Sequence, residues 1–440
     1  MSAAIGSILG LLATNSISQG DTRDVGLSRL IEDGWSIYRA VRSEPWPNEA
    51  ALEIAKVWMS REPWDGKTYL DGSDVGGVTS ALGVARGVQG EPFRLATYRS
   101  DSFQGTKVTG MGFVLALAEA ERLVAADARN RDVIFGYLSG KDANDSPDGS
   151  PSRAVINFFG WSETEASEYA LPFRHLELNV KPERTRLKPD GRYQLREPLP
   201  TKWWVYGDRR TALYERIRDA DRVLVVVLHS PHAIPVFVGN GLVYSHALAV
   251  FSYADDAHLA LLTSSFHWWW VVEHGSTLGG EANIRYTPTD VFDTFPQPVP
   301  QLGAAWTRVD VAGRELDKFR SDLMNRTGLG LTKTYNRFHD PSEQESDVIR
   351  LRELHVELDH AVRDAYGWPN LELGHHHWET AQGMRFTVSP AARDELLDRL
   401  LELNLQRYAE EVAAGLHDKK SKKAPAKRAK AVDENQESML

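Results

Sequence analysis

The hydrophobic pattern of the chain changes near residue 300, and this change limits the folds that the sequence can adopt. Between residues 93 and 300, short apolar runs such as RVLVVVLHS alternate with turns rich in Gly, Pro, Asp and Asn. This alternation predicts an α+β region with many short strands, which ends at the proline-rich stretch FPQPVPQ. From about residue 305 apolar residues recur at helical spacing, which predicts a helical segment.

The sequence before residue 65 has the pattern of a sheet. The apolar run at residues 8–13 predicts a buried strand, and a short amphipathic helix is predicted over 24–33. Strands in WSIYRAVRS and ALEIAKVWM then form an antiparallel hairpin at the end of a mixed α/β sheet. The predicted organisation has five parts: a sheet end at 1–65, a linker at 66–92, an α+β domain at 93–300, a helical domain at 301–416 and a disordered basic tail at 417–440.

Composition excludes several classes of protein. The 440 residues include no cysteine, so disulfides and cysteine-ligated zinc are excluded, which fits a reducing cytoplasm. No apolar run approaches the roughly 20 residues of a membrane span. The first basic residue is Arg23, so the N-terminal apolar stretch lacks the positive region of a signal peptide. We expect a cytoplasmic protein without a membrane partner.

Charge is distributed unevenly along the chain. The net charge of −10 argues against non-specific binding of polyanions by the whole surface. Residues 181–210, however, contain nine basic and four acidic side chains, and aromatic residues are interleaved with them. Guanidinium groups bind phosphate and read guanine edges, while aromatic rings pack against sugars and bases. Composition alone fits a nucleic-acid surface and a solvated loop over the core equally well.

Other motifs give no positive sign of catalysis. GLGLTKTYN resembles a phosphate loop, but Thr332 stands where that loop needs glycine, so we predict a turn between helices. The three adjacent imidazoles of GHHHW cannot all face one metal ion in regular structure, which predicts a loop contact or partly buried stacking. His355 and Asp359 lie one helical turn apart and predict a surface hydrogen bond or ion pair. No GxSxG motif of a hydrolase is present.

Five stretches carry a resemblance to a known family. They occur in the order KPERTRLK, WWVYGDRRTALYERI, VYSHALAVFS, SSFHWWWVVEHGSTL and RYTPTDVFDTFPQP. In this order they resemble the target-recognition region of large bacterial adenine-N6 DNA methyltransferases, the single-chain type II restriction–modification enzymes of the MmeI-like kind. GLLATNSISQGDTRDVGL resembles the late part of their methyltransferase domain, and the helical stretch from GLGLTKTYNRFHDP onward resembles their C-terminal segment. The implied fold is the remnant of a Rossmann-like methyltransferase sheet, an α+β target-recognition domain and a helical C-terminal segment.

The resemblance implies that double-stranded DNA is the partner. The residues that it places on the DNA surface are Lys181, Arg184, Arg186, Lys188, Trp203, Trp204, Arg209, Arg210, Arg285 and Tyr286. For Arg285 one alternative stays open, a buried structural role in which it pairs with Asp290 or Asp293.

The sequence departs from the family at its catalytic motifs. Methylation requires a glycine-rich turn for S-adenosylmethionine and an Asn/Asp-Pro-Pro-Tyr/Phe loop for the flipped adenine, and the sequence contains no Pro-Pro pair. We therefore expect that this chain alone binds no cofactor and does not methylate, and that S-adenosylmethionine belongs to the complete enzyme. A separate chain carrying the N-terminal half is an expected partner. The alternative is a protein-interaction or scaffold subunit without DNA binding, which would dock through its acidic helices at 340–416.

Overall fold

The computed structural model describes residues 7–18, 20–46, 53–62, 64–85, 87–88, 90–277 and 284–417. These residues form a mixed α/β structure with several small sheets and a helical C-terminal region, which confirms the predicted fold class. None of the helices in this part of the chain combines the length and the apolarity that a membrane span needs. The predicted tail lies outside the described residues, except for His417.

The N-terminal region is built around one five-stranded sheet. Its elements are β1 (Ile8–Thr14), α1 (Gly20–Val25), α2 (Leu27–Glu32), β2 (Ser36–Pro45), β3 (Glu53–Ser60), β4 (Thr68–Leu70) and β5 (Ser73–Val75). The strand order is β1-β3-β2-β4-β5, with β3 antiparallel to both β1 and β2. The predicted hairpin is confirmed. The predicted helix over 24–33 is interrupted at Gly26, and the predicted linker at 66–92 contains β4 and β5.

Strand β1 is an edge strand, which corrects the prediction of a buried one. In the described residues it pairs only with β3. Its residues alternate between half-buried and exposed, and Ile8 and Leu12 are 69% and 59% exposed. Leu9 and Leu11 on the other face pack against a small core that contains Leu27. The apolar run therefore buries only one face of the strand.

The central region contains many short strands, as predicted. Its elements are β6 (Ser102–Gln104), β7 (Val114–Ala116), α3 (Leu117–Ala126), β8 (Ile134–Leu138), α4 (Gly140–Asp145), β9 (Arg153–Ile156), α5 (Glu163–Ser167), α6 (Ala170–Asn179), α7 (Lys181–Arg184), α8 (Thr211–Arg216), β10 (Arg222–Val227), β11 (His229–Ser230), β12 (Val236–Gly239), β13 (Val243–Tyr244), β14 (Leu248–Phe251), α9 (Asp256–Thr263), α10 (Ser265–His274), β15 (Ser276–Thr277) and β16 (Ile284–Arg285). They form three sheets with the orders β12-β10-β14-β6, β13-β8-β9-β7 and β11-β16-β15.

The C-terminal region is helical with one hairpin. Its elements are α11 (Gly303–Thr327), α12 (Leu331–His339), α13 (Ser346–Ala365), β17 (His376–Thr380), β18 (Gly383–Thr387) and α14 (Pro390–Ala413). The hydroxyl of Ser389 accepts the N–H of Ala392 at 3.1 Å and so caps α14, as expected from the sequence. The predicted turn between helices is confirmed at 328–330, and α12 takes up the rest of GLGLTKTYN. Strand β17 occupies most of GHHHW, so the loop prediction is wrong there, whereas partly buried stacking is confirmed, because the half-buried rings of His375 and His377 lie against Phe386.

One hydrophobic core extends across residue 300. It joins side chains of β10, β14, α9 and α10 to side chains of α11, α13 and α14. Helix α11 approaches α9 closely at Gly313, where a Cβ atom would lie 2.0 Å from the backbone oxygen of Asp256. The predicted boundary between residues 300 and 301 therefore does not separate two cores, and the domain limits stay predictions. A second core lies beneath residues 181–210 and includes Phe113 and Phe158.

Candidate nucleic-acid interface

Arg184 is buried, and the prediction that it contacts DNA is wrong. Its side chain is 1% exposed, and its guanidinium donates only to backbone oxygens. It bonds Val108 at 2.7 Å, Thr109 at 2.7 and 3.3 Å, Trp203 at 3.2 Å, and also Val205. Burial lowers the pKa of Arg184 to about 10. The guanidinium therefore holds the loop at 108–109 against the loop at 203–205.

The three predicted aromatic contacts are also buried, so these predictions are wrong. Trp203 and Trp204 are 3% and 6% exposed and pack edge to face at 5.6 Å. The Trp204 indole donates to the backbone oxygen of Trp161 at 3.0 Å. Tyr286 is 1% exposed, and its hydroxyl lies 3.1 Å from Nε2 of His267. An aromatic ring that completes a core has no free face on which a base could stack.

Of the remaining predicted residues, Lys181 and Arg210 have local partners, whereas Arg285 is exposed on the central strand of its sheet. Lys181 is half-buried, with its ammonium 3.4 Å from Glu177 and over the ring of Trp203. Arg210 is half-buried too, and donates to the side-chain oxygen of Gln104 at 3.1 Å. Arg285 is exposed on β16 and is paired with neither Asp290 nor Asp293. The buried alternative for Arg285 is therefore wrong, and its DNA contact stays a prediction.

Five cations of this stretch face water without a partner. Within the described residues, their side chains are exposed and make no ion pair or side-chain hydrogen bond: Arg186, Lys188, Arg196, Lys202 and Arg209. We call them the free cations. Three were predicted from the sequence, whereas Arg196 and Lys202 were missed as contacts. Only the coordinates distinguish them from buried neighbours such as Arg184.

Two free cations share one cavity. A cavity of about 340 Å³ is lined by three cationic residues, Lys202, Arg209 and Arg210, and by one acidic residue, Asp208. The guanidinium of Arg209 lies against Gly160, where a Cβ atom would be 1.9 Å from its Nη1. An ammonium and a guanidinium on one cavity can bind one anion together, and a phosphate accepts hydrogen bonds from both. The cavity is thus a candidate phosphate contact.

Two histidines of the helical region, His355 and His375, have structural partners. His375 lies 2.8 Å from the carboxylate of Asp359, and His355 bonds the Tyr335 hydroxyl at 2.9 Å. His355 and Asp359 are both buried, which corrects the predicted surface pair. Across the described ranges, no group of three or more His, Cys, Asp or Glu side chains is arranged to hold a metal ion.

Comparisons with known proteins bear on the fold. No family model matches the sequence, and no curated protein matches it. The solved structure of the type IIL restriction-modification enzyme MmeI in complex with DNA matches with a TM-score of 0.67 and 18% identity, over 91% of this chain and 50% of that chain. The type IIG restriction endonuclease BpuSI matches with 8% identity over 83% and 48%, and its TM-score of 0.29 carries no argument.

The chain spans about half the length of both enzymes. At 18% identity the likeness to MmeI concerns the fold and not the individual side chains. It agrees with the family resemblance seen in the order of sequence motifs. In fold, this chain is therefore similar to about half of the restriction-modification enzyme MmeI.

Proposed function

We propose that this chain is the DNA-binding target-recognition portion of a bacterial site-specific adenine-N6 DNA methyltransferase, part of a restriction–modification or phage-defence system. The observation that carries the proposal is the set of five free cations within residues 186–209 of a chain whose net charge is −10. A protein with excess acid that leaves five cations of one 24-residue stretch unpaired has a local surface suited to a polyanion. The similarity in fold to half of MmeI, whose structure contains DNA, supports the same conclusion.

The chemistry of the free cations fits the backbone of a duplex. Each Lys or Arg that neutralises a phosphate releases counterions, so affinity falls as salt rises, by about 0.9 in the log–log slope for each contact. Arginine adds a planar fork of donors that matches two phosphate oxygens. Lys202 and Arg209, on one cavity, provide the most defined of these contacts.

Under this proposal, the chain does not methylate DNA by itself. Its sequence contains no Pro-Pro pair and so lacks the loop that holds a flipped adenine, and S-adenosylmethionine would be held by the complete enzyme.

A separate chain with the N-terminal half is the proposed partner. Strand β1 supports this, because an edge strand with exposed Ile8 and Leu12 can accept another strand beside it. The test is co-purification with the product of the adjacent upstream reading frame, followed by methylation of plasmid DNA. Methyl transfer by the lone chain would contradict the proposal.

The DNA-binding test compares two variants of equal charge. In the first, all five free cations become Gln. In the second, five exposed cations elsewhere become Gln: Arg131, Lys141, Arg218, Lys318 and Lys333. Binding of a labelled duplex is measured by fluorescence anisotropy at several salt concentrations.

The wild type should bind the duplex in a salt-sensitive manner. The first variant should lose up to about 4.5 units of log–log slope, at about 0.9 for each of five contacts, and the second should lose little. A wild type that binds no duplex, or binds independently of salt, would contradict DNA recognition and favour the protein-interaction alternative.

A further inference from the structure

Residues 186–194 form a short hairpin on the outer surface, and all nine are exposed. The N–H of Lys188 donates to the carbonyl of Arg192 at 2.7 Å, and the N–H of Gln194 donates to the carbonyl of Arg186 at 2.9 Å. Leu187 and Tyr193 stand opposite each other between these bonds. The segment is therefore a two-stranded ribbon, which we call the 186–194 hairpin.

The turn of this hairpin is specified by the local sequence KPDG. The N–H of Gly191 donates to the carbonyl of Lys188 at 3.0 Å, which closes a β-turn. Pro189 presets the backbone at the first central position, and the Asp190 carboxylate accepts the N–H of Arg192 at 3.0 Å. Gly191 has φ +80°, a left-handed conformation that favours glycine. The tip is thus locally defined without help from the rest of the protein.

The two faces of the ribbon differ in chemistry. Side chains alternate between faces along a strand, and directly opposite residues share a face. Leu187 and Tyr193 therefore lie on one face, and they are 53% and 41% exposed. The opposite face presents Arg186, Lys188, Arg192 and Gln194.

The base of the hairpin is fixed. Arg184, two residues before the ribbon, is bonded to four backbone carbonyl groups of two other loops. After the ribbon, Trp203 enters the core beneath the segment. Because all nine residues of the ribbon are exposed, it can enter a groove without breaking contacts with the rest of the protein.

We propose that the 186–194 hairpin enters the major groove of DNA and that its polar face reads base edges, an inference that rests on the proposed function. A two-stranded ribbon fits this groove, which is about 12 Å wide. Arg and Lys read O6 and N7 of guanine, and Gln reads N6 and N7 of adenine, which are the side-chain types on the polar face. Lys202 and Arg209 contact phosphate beside it and carry no sequence information.

The test is selection of bound duplexes from a random library. The first variant changes the polar face, with Arg186, Lys188 and Arg192 replaced by Gln. A matched variant changes Arg196, Lys202 and Arg209 to Gln, so its net charge is the same. A third carries Leu187→Thr on the opposite face. Circular dichroism checks that each variant is folded.

The wild type should give a consensus sequence, and the polar-face variant should lose roughly 5- to 150-fold discrimination at each affected base pair. The matched variant should bind all duplexes more weakly with the consensus unchanged, and Leu187→Thr should keep the consensus. Binding without any consensus, or a consensus kept by the polar-face variant, overturns the inference and leaves the proposed function standing. Failure of the wild type to bind any duplex removes the basis of both.

A second measurement locates the hairpin on the duplex. Because the chain contains no cysteine, Tyr193→Cys, at an exposed position on the face opposite the polar one, places one iron chelate on the hairpin. Hydroxyl radicals released in the major and the minor groove cut the two strands with opposite offsets. On the selected duplex, we expect the offset of a major-groove source. A minor-groove offset, or retained binding without cleavage, overturns the inference.

Discussion

Asn404 and Phe93 exchange two hydrogen bonds across a partly buried contact. The side-chain oxygen of Asn404 accepts the N–H of Phe93 at 2.8 Å, and its amide nitrogen donates to the carbonyl of Phe93 at 2.8 Å. The same nitrogen donates to the carbonyl of Thr294 at 2.6 Å. One fully buried amide in α14 thus holds both ends of the region between residues 93 and 300.

Replacing the side-chain amide of Asn404 should destabilise the packing of α14 against the region between residues 93 and 300. Asn404→Ala leaves three backbone groups without their partner, and each buried unpaired group costs about 1–3 kcal/mol. We expect a loss of about 3 kcal/mol or more in the free energy of unfolding, measured by denaturant titration. The control is Gln406→Ala on the exposed side of the same helix, which should change stability by less than about 0.5 kcal/mol. Equal effects of the two substitutions would contradict the role of the contact.

Arg184 should act through stability and not through DNA. Arg184→Met removes the donors from four buried carbonyl groups, so we expect a loss of at least about 3 kcal/mol in unfolding free energy. At a temperature where this variant is folded, its salt slope for duplex binding should equal that of the wild type. Lys202→Gln, which removes a proposed phosphate contact at an exposed side chain, should show the reverse: unchanged stability and a slope reduced by about 0.9. A folded Arg184→Met protein with a reduced slope would restore Arg184 as a DNA contact.

This contrast explains how much could be predicted from the sequence. The hydrophobic pattern predicted the hairpin of β2 and β3, the short strands after residue 93 and the helices α11, α13 and α14. The basic segment at 181–210 was also visible. Arg184 and Arg186 have the same side chain, yet the first points into a core and the second into water. Whether an arginine side chain points into the core or into water cannot be predicted from composition. For Arg184 this orientation is set by the surrounding loops at 108–109 and 203–205.

The wrong predictions have a common cause in tertiary contact. His355 and Asp359 have the spacing of a surface pair, but α12 and the loop before β17 cover them, so their partners are Tyr335 and His375. The imidazole run was expected in a loop, and β17 instead pairs His376 with Thr387 of β18. In each case the decisive neighbour is distant in sequence. The spacing of apolar residues within one segment does not predict which distant segment packs against it.

The crossing of α11 and α9 should depend on the absence of a side chain at Gly313. A Cβ atom there would lie 2.0 Å from the backbone oxygen of Asp256, and backbone cannot rotate away as a side chain can. Gly313→Ala should therefore destabilise the protein by about 1–3 kcal/mol, although alanine favours helix. Glu315→Ala, at an exposed position of the same helix, is the control and should have little effect on the denaturation midpoint. A stabilised Gly313→Ala protein would show that the helices can move apart without cost.

Stability should fall as the pH is lowered from about 6.5 to 5, because three histidines are held neutral by burial. Burial lowers the pKa of His232 and His267 to about 4 and that of His355 to about 3, below the ordinary value of 6.5. In this window the unfolded chain binds more protons at these sites than the folded chain does. Their stabilising effect is complete above the unfolded pKa and is lost as the pH falls. Asp293 acts in the opposite direction, since burial raises its pKa to about 6 and the folded state keeps its proton longer.

Three histidines against one carboxyl leave a net difference of about two protons, and His339 adds to it, because burial lowers its pKa well below the ordinary value. Each proton corresponds to about 1.4 kcal/mol per pH unit, so the free energy of unfolding should fall by at least about 3 kcal/mol per pH unit near pH 5. Denaturant titrations at several pH values between 7 and 5 measure this slope. His355→Gln should make it shallower by about one proton, and Asp293→Asn should make it steeper by about one. His246→Gln is the control, because its exposed side chain meets water in both states. A slope that neither His355→Gln nor Asp293→Asn changes would place the pH dependence in other groups.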